Sequence, residues 1–193
     1  MTDVRSLILS AIPAFTATVS HVPEDAWANP TPCDAWTVRD VVNHMTSEHL
    51  WAPRLLKGES IDDVGDAYEG DVLGEDPPGA WRAAARLSAE AWAYADPTAK
   101  VHLSSGPATV ASYGEEMLLD LAVHRWDVQR GADIGEGLDG AVVQYLMDRY
   151  SDRFAQYSGS SYFKAPVPTD SEYAHDQLIA RTGRDPFWRS PAR

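Results

Sequence analysis

The stretch Tyr113–Gly131, YGEEMLLDLAVHRWDVQRG, constrains this chain more than any other. It reads as a long helix with 3.6 residues per turn. With His124 at the centre of the wheel, Met117, Leu121 and Val128 form a narrow apolar stripe on one side, and Glu116, Asp120 and Asp127 fall on the other. Asp120 precedes His124 by one turn at i−4, and Asp127 follows it at i+3. Leu118, Leu119, Ala122 and Trp126 carry the apolar character round the rest of the surface. A helix apolar nearly all round is a central, buried one. A histidine and a carboxylate on its inner face need partners, because buried polar groups are costly when unpaired.

Other segments show the same period. Leu7, Ile8, Ile12, Phe15 and Val19 mark a helix within Asp3–Val19, which Pro13 predicts to be kinked or to begin late. The loop from Ser20 to Trp36 carries Pro23, Pro30 and Pro32 and is expected to cover one end of the core. Thr37-Val-Arg-Asp40 matches a capping box, opening a helix that runs to about Lys57 and stops near Gly58. On it His44 lies beside Val41, Trp51 and Leu55, with Glu48 one turn on, and Pro53 is expected to bend the last turn. Gly58–Gly79 is acidic and reads as a solvated connecting loop without EF-hand spacing. Pro78–Asp96 is an alanine-rich helix with Trp81, Ala85, Ala89 and Trp92 in one stripe; Arg82 and Arg86, one turn apart, face solvent or an anionic ligand.

Thr98–Tyr113 reads as a brief hairpin turning at Gly106-Pro107, and Gly131 as the C′ residue of the helix that follows. Leu138–Phe154 gives a further helix with Val142, Val143, Leu146 and Tyr150 inward, and Tyr173–Arg181 a short helical turn. Four long helices, starting near residues 3, 37, 78 and 112, predict an all-α four-helix bundle with an extra helix and an irregular C-terminal tail. The expected division is a bundle over residues 1–155 and a tail over 156–193 packing on it.

Charge and cysteine usage narrow the function. A net charge of −13 argues against a nucleic-acid surface, which needs clustered Lys and Arg. Cys33 is the one cysteine, so no internal disulfide is expected, which fits a reducing cytoplasm. No signal peptide and no bilayer-spanning run is read in the chain.

Bundles build metal sites from side chains on facing helices. His44 on the second helix, with Asp120 and His124 on the fourth, supplies two imidazoles and one carboxylate, the composition of a catalytic zinc site with an open position. Imidazole also suits nickel, cobalt and iron. Glu48, Glu116 and Asp127 are candidates for holding an imidazole tautomer or taking a proton. The alternative is a pair of hydrogen-bonded core histidines with no metal. His21, His102 and His175 read as surface residues and His49 as packing; Cys33 has no base that the sequence reveals.

Three blocks carry a family resemblance: Thr31-Pro-Cys-Asp-Ala-Trp-Thr-Val-Arg-Asp-Val-Val-Asn-His44, Asp120-Leu-Ala-Val-His-Arg-Trp-Asp127 and Thr182-Gly-Arg-Asp-Pro-Phe-Trp188. They resemble the DinB/YfiT-like superfamily, and within it proteins related to the N-terminal domain of mycothiol-dependent maleylpyruvate isomerase, with the third block marking a small subfamily. The resemblance implies a DinB-like bundle holding a divalent metal, zinc or nickel, on His44, Asp120 and His124, with aspartate standing where glutamate is common. It implies activation of a small thiol such as mycothiol, or of water, for transfer or isomerisation of a small-molecule substrate, and it leaves a homodimer open. The isomerase's second domain has no counterpart after the bundle, so the isomerase activity itself is not expected. A bundle that binds a small hydrophobic ligand among its tryptophans and tyrosines, or one recruited to a biosynthetic reaction, is the competing expectation.

Overall fold

The computed structural model describes residues 3–135, 137–150 and 164–191. Helix α1 spans Val4–Ser20 and starts on Asp3, whose side chain accepts from the Arg5 amide. It continues through Pro13, so the late start does not occur. An interior proline costs about 3 kcal/mol. Buried Leu7, Ile8, Ile12, Phe15 and Val19 lie on both sides of it, and packing outweighs that cost.

Helix α2 (Val38–Leu56) opens with the reciprocal capping box of Thr37 and Asp40 and continues through Pro53. A one-turn helix α3 (Ile61–Val64) follows. The acidic segment around it is not a free solvated loop. Asn43 donates to the Gly70 carbonyl and accepts from the Val72 amide, Ser47 donates to the Tyr68 carbonyl, and Arg39 pairs with Asp71. Periodicity on α2 could not show these latches, because Asn43 and Ser47 look like ordinary solvent-facing residues.

Helix α4 (Pro77–Tyr94) is capped by Asp76. A hairpin of β1 (Lys100–Leu103) and β2 (Gly106–Thr109) leads into helix α5 (Val110–Ala132). The turn lies between Leu103 and its partner Gly106, so Gly106 and Pro107 belong to β2 and not to the turn. Thr109 caps α5, which therefore begins three residues before Tyr113. Its C-terminal stop is Asp133 in the left-handed conformation, not Gly131.

Helices α1 and α2 each pack on both α4 and α5, so they stand diagonally opposite in a four-helix bundle. Phe15 meets Trp81, Ile8 meets Gly114, and Arg125 reaches Thr18. Val38 meets Gly131 while His44 meets Asp120. Thus α1 and α5 run one way and α2 and α4 the other. Helix α6 (Gly140–Tyr150) packs on α5 and carries buried Val142, Val143, Leu146 and Tyr150. Its expected extension to Phe154, and the boundary at residues 155 and 156, lie outside the described residues. Helix α7 (Ala174–Arg181) packs on α6, and the tail then turns back toward α5. Among the described residues no helix is long and apolar enough to cross a membrane.

Gly131 has a specific use. A Cβ there would lie 2.8 Å from Val38 Cγ2, 2.9 Å from Thr31 Cγ2 and 3.0 Å from the Pro30 carbonyl oxygen. Its absence lets the loop before α2 lie directly on α5, where Asn29 donates to the Gly131 carbonyl. That contact carries Cys33 and Trp36 over the interior histidines.

Candidate metal centre

His44 projects from α2 toward α5, and its Nε2 lies 3.0 Å from Asp120 Oδ2. His124, one turn along α5 from Asp120, places Nε2 3.5 Å from the other carboxylate oxygen, Oδ1. One carboxylate thus stands between two imidazoles. The donor atoms of His44, Asp120 and His124 all lie within 4.8 Å of one another. The two imidazole rings meet edge-on with centroids 5.0 Å apart, and Trp36 packs against both, at 5.0 Å from His44 and 5.7 Å from His124. Thr37 fixes where α2 begins, and so fixes Trp36 one residue before it and His44 two turns into it.

The far side of His124 is held too. Its Nδ1 lies 2.9 Å from Asp127 Oδ2, and Asp127 is fully buried. Arg184, from the tail, donates from Nε to Asp127 Oδ1 at 2.9 Å and from Nη2 to Oδ2 at 2.8 Å. Asp127 therefore anchors Nδ1 of His124, which turns Nε2 of the ring toward Asp120.

The electrostatics follow from burial and these pairings. Burial pushes the Asp120 carboxyl up, but His124 and His44 beside it outweigh that and hold it well below the usual carboxylate range. Burial likewise opposes ionisation of Asp127, and Arg184 and His124 reverse the effect. For His44, burial disfavours the charged ring, yet Asp120 raises its pKa overall. Glu48 is pushed up to about 6 by burial and by the charge of Asp120, with His44 opposing. Glu116 sits at the exposed edge of the same face of α5.

The sequence expectations divide here. The fold brings His44, Asp120, His124 and Asp127 together, with Glu48 in their field. It does not bring Arg82 and Arg86 to them. Both lie on the exposed side of α4, and Arg86 faces Glu90 at i+4. His49 is buried, with Nδ1 2.8 Å from Ser88 Oγ and its ring edge-on to Trp81. Three neighbours of the cluster were not assigned to it from the sequence: Arg184, Trp36 of the loop expected to cover one end of the core, and Cys33, read as a cysteine with no visible base. Cys33 offers its sulfur within 4.8 Å of donor atoms of His124 and Asp127. Burial pushes its thiol up to about 11, Arg184 opposing, so it is protonated at neutral pH. The signals for Arg184 and Cys33 were the GRDP and TPC blocks, but nothing local told where either side chain would reach.

An antiparallel and parallel set of four helices, with a His–Asp–His cluster between the facing helices α2 and α5, defines a DinB-like bundle. Residues 9–129, which contain all three cluster residues, match the mycothiol maleylpyruvate isomerase N-terminal domain family, and the chain belongs to that family. It is also 33% identical over 63 residues to uncharacterized proteins of Mycobacterium tuberculosis from strains CDC 1551 and H37Rv. That segment covers 33% of this chain and 23% of those relatives, so the match spans about a quarter of their length. No solved structure matches the chain.

Proposed function

We propose that this chain is a divalent-metal enzyme in which His44, Asp120 and His124 hold one zinc or nickel ion, and that it activates a small thiol of the mycothiol class, or a water, for transfer or isomerisation. The observation that carries this reading is Asp120 standing between the Nε2 atoms of two imidazoles at 3.0 and 3.5 Å. Three donors of the types that bind zinc, converging from two helices, fit a site that keeps a position open. A bound divalent ion lowers the pKa of a coordinated thiol or water, so that the nucleophile exists at neutral pH.

The chain's own residues do the rest. Asp127 and Arg184 hold the His124 ring in place, with Nε2 turned to the cluster. Trp36 covers both rings and limits water on that side. Glu48, with its pKa at about 6, takes the proton released by an incoming thiol or water and can return it near neutral pH. Glu116, on the exposed edge, stands where a substrate enters.

Metal content of the purified protein, measured by mass spectrometry in wild type and His124→Ala, tests the reading. About one ion per chain in the wild type, lost in the variant, is the expected result. No metal after incubation with zinc and nickel, or full metal in His124→Ala, would overturn it.

A further inference from the structure

A second site lies on the other side of α5. A cavity of about 620 Å³ opens between the C-terminal turns of α5 and the end of the tail. Trp126, Gln129, Arg130 and Asp133 line it from the helix, and Trp188 and Arg189 from the tail. Relative to His124, Trp126, Gln129 and Arg130 point about 140° to 240° round the helix. The cavity is therefore on the reverse face from the His–Asp–His cluster. Its volume falls within the range of small-molecule pockets.

We infer that this cavity binds a small flat carboxylate that also carries a hydroxyl group. Arg130 is held over the Trp126 ring at 5.3 Å from its centroid, which fixes a guanidinium at the cavity wall, and Arg189 adds a second cation. Planar guanidinium groups match carboxylates with paired hydrogen bonds. Among the described lining residues Arg130 and Arg189 stand against one acid, Asp133, in a chain whose net charge is −13. At this helix end the amides of Asp133 and Ile134 satisfy the carbonyls of Arg130 and Gln129, and the two guanidinium groups must outweigh the negative end of the helix dipole. The indole of Trp188 gives a flat body an apolar surface.

The hydroxyl is read from Gln129. Its side chain is buried and its Oε1 has no hydrogen-bond partner among the described residues. The amide end packs on Gly135, whose φ of 67° lets the loop pass close by. A buried acceptor without a partner is costly, and a ligand O–H supplies the donor.

The test is calorimetric titration of 4-hydroxybenzoate, benzoate and inorganic phosphate into the full chain. Saturable binding of 4-hydroxybenzoate is expected, tighter than that of benzoate. Arg130→Gln and Arg189→Gln should each weaken it by about tenfold or more, the loss of one charge-assisted pair. Gln129→Leu should erase the preference over benzoate. Arg189 is exposed, so its variant folds as the wild type does. Wild type should bind equally with and without added zinc, which separates this site from the metal reading. Absence of saturable binding, binding that survives both arginine substitutions, tighter binding of phosphate, or binding that requires zinc would each overturn the inference.

Discussion

Arg184 spans both carboxylate oxygens of Asp127, across 57 residues of chain, and the pair is sealed from solvent. Asp127 in turn holds His124. The tail thus reaches the interior cluster through two hydrogen-bonded steps.

Removing one member of that pair strands a buried charge. Arg184→Met should cost about 3–5 kcal/mol in stability. Zinc affinity should fall by about 10–100-fold, because the ring of His124 loses its anchor. Urea unfolding and competition with a chromophoric chelator measure the two effects. Unchanged stability together with unchanged zinc affinity would show that the tail plays no part in the centre.

Gly131→Ala puts a methyl group 2.8 Å from Val38 Cγ2 and 3.0 Å from the Pro30 carbonyl oxygen. Alanine gains about 1 kcal/mol in helix propensity over glycine. Overpacking costs about 1–3 kcal/mol, and backbone on one side cannot yield as a flexible side chain does. Net destabilisation is expected, with a shift in the emission of Trp36 as the loop is pushed off α5. A higher Tm for the variant would contradict the close approach.

His49 makes stability depend on pH. Burial lowers its pKa from 6.5 to about 3. Above pH 6.5 the ring is neutral in folded and unfolded chains and contributes no slope. Between 6.5 and about 3 the unfolded chain binds a proton that the folded one does not, so stability falls with acidification. The slope is about 1.4 kcal/mol per pH unit for one proton. In His49→Asn this component should vanish. The stability difference between wild type and variant, followed by urea unfolding from pH 7 to pH 4, should narrow by that slope. A constant difference would mean that His49 is protonated in the fold.

Metal should stabilise the folded chain by mass action. Free zinc at about 100 times its Kd adds about 2.7 kcal/mol. Thermal unfolding with and without zinc should show a raised Tm in wild type, reversed by a chelator, and no shift in His44→Ala or His124→Ala. Equal shifts in all three proteins would place the zinc elsewhere.

Helix capping is a local matter, and Thr37→Ala should cost about 1 kcal/mol by denaturant unfolding. The measured loss should be matched by Asp40→Ala, since each residue satisfies the other's backbone. An effect of Thr37→Ala alone would mean that the carboxylate half of the box contributes nothing.

Much of this protein was legible in its residues because it depends on near neighbours. The capping box of Thr37 and Asp40, the stripes that bury Ile8, Trp81 and Leu121, and the Asp120–His124–Asp127 spacing all follow from helical period. Mistakes arose where neighbours do not decide. Pro13 sits inside a helix because packing on other helices repays its lost bond, and Gly131 serves a close approach instead of ending α5. Period also put His44 inward on α2 but could not say what it would meet. Only the packed bundle places it against Asp120, 76 residues away, lays Cys33 and Trp36 over the rings, and brings Arg184 to Asp127. Helical spacing is set by bonds within a turn, whereas these contacts are set by which faces bury each other, and that is decided by the chain as a whole.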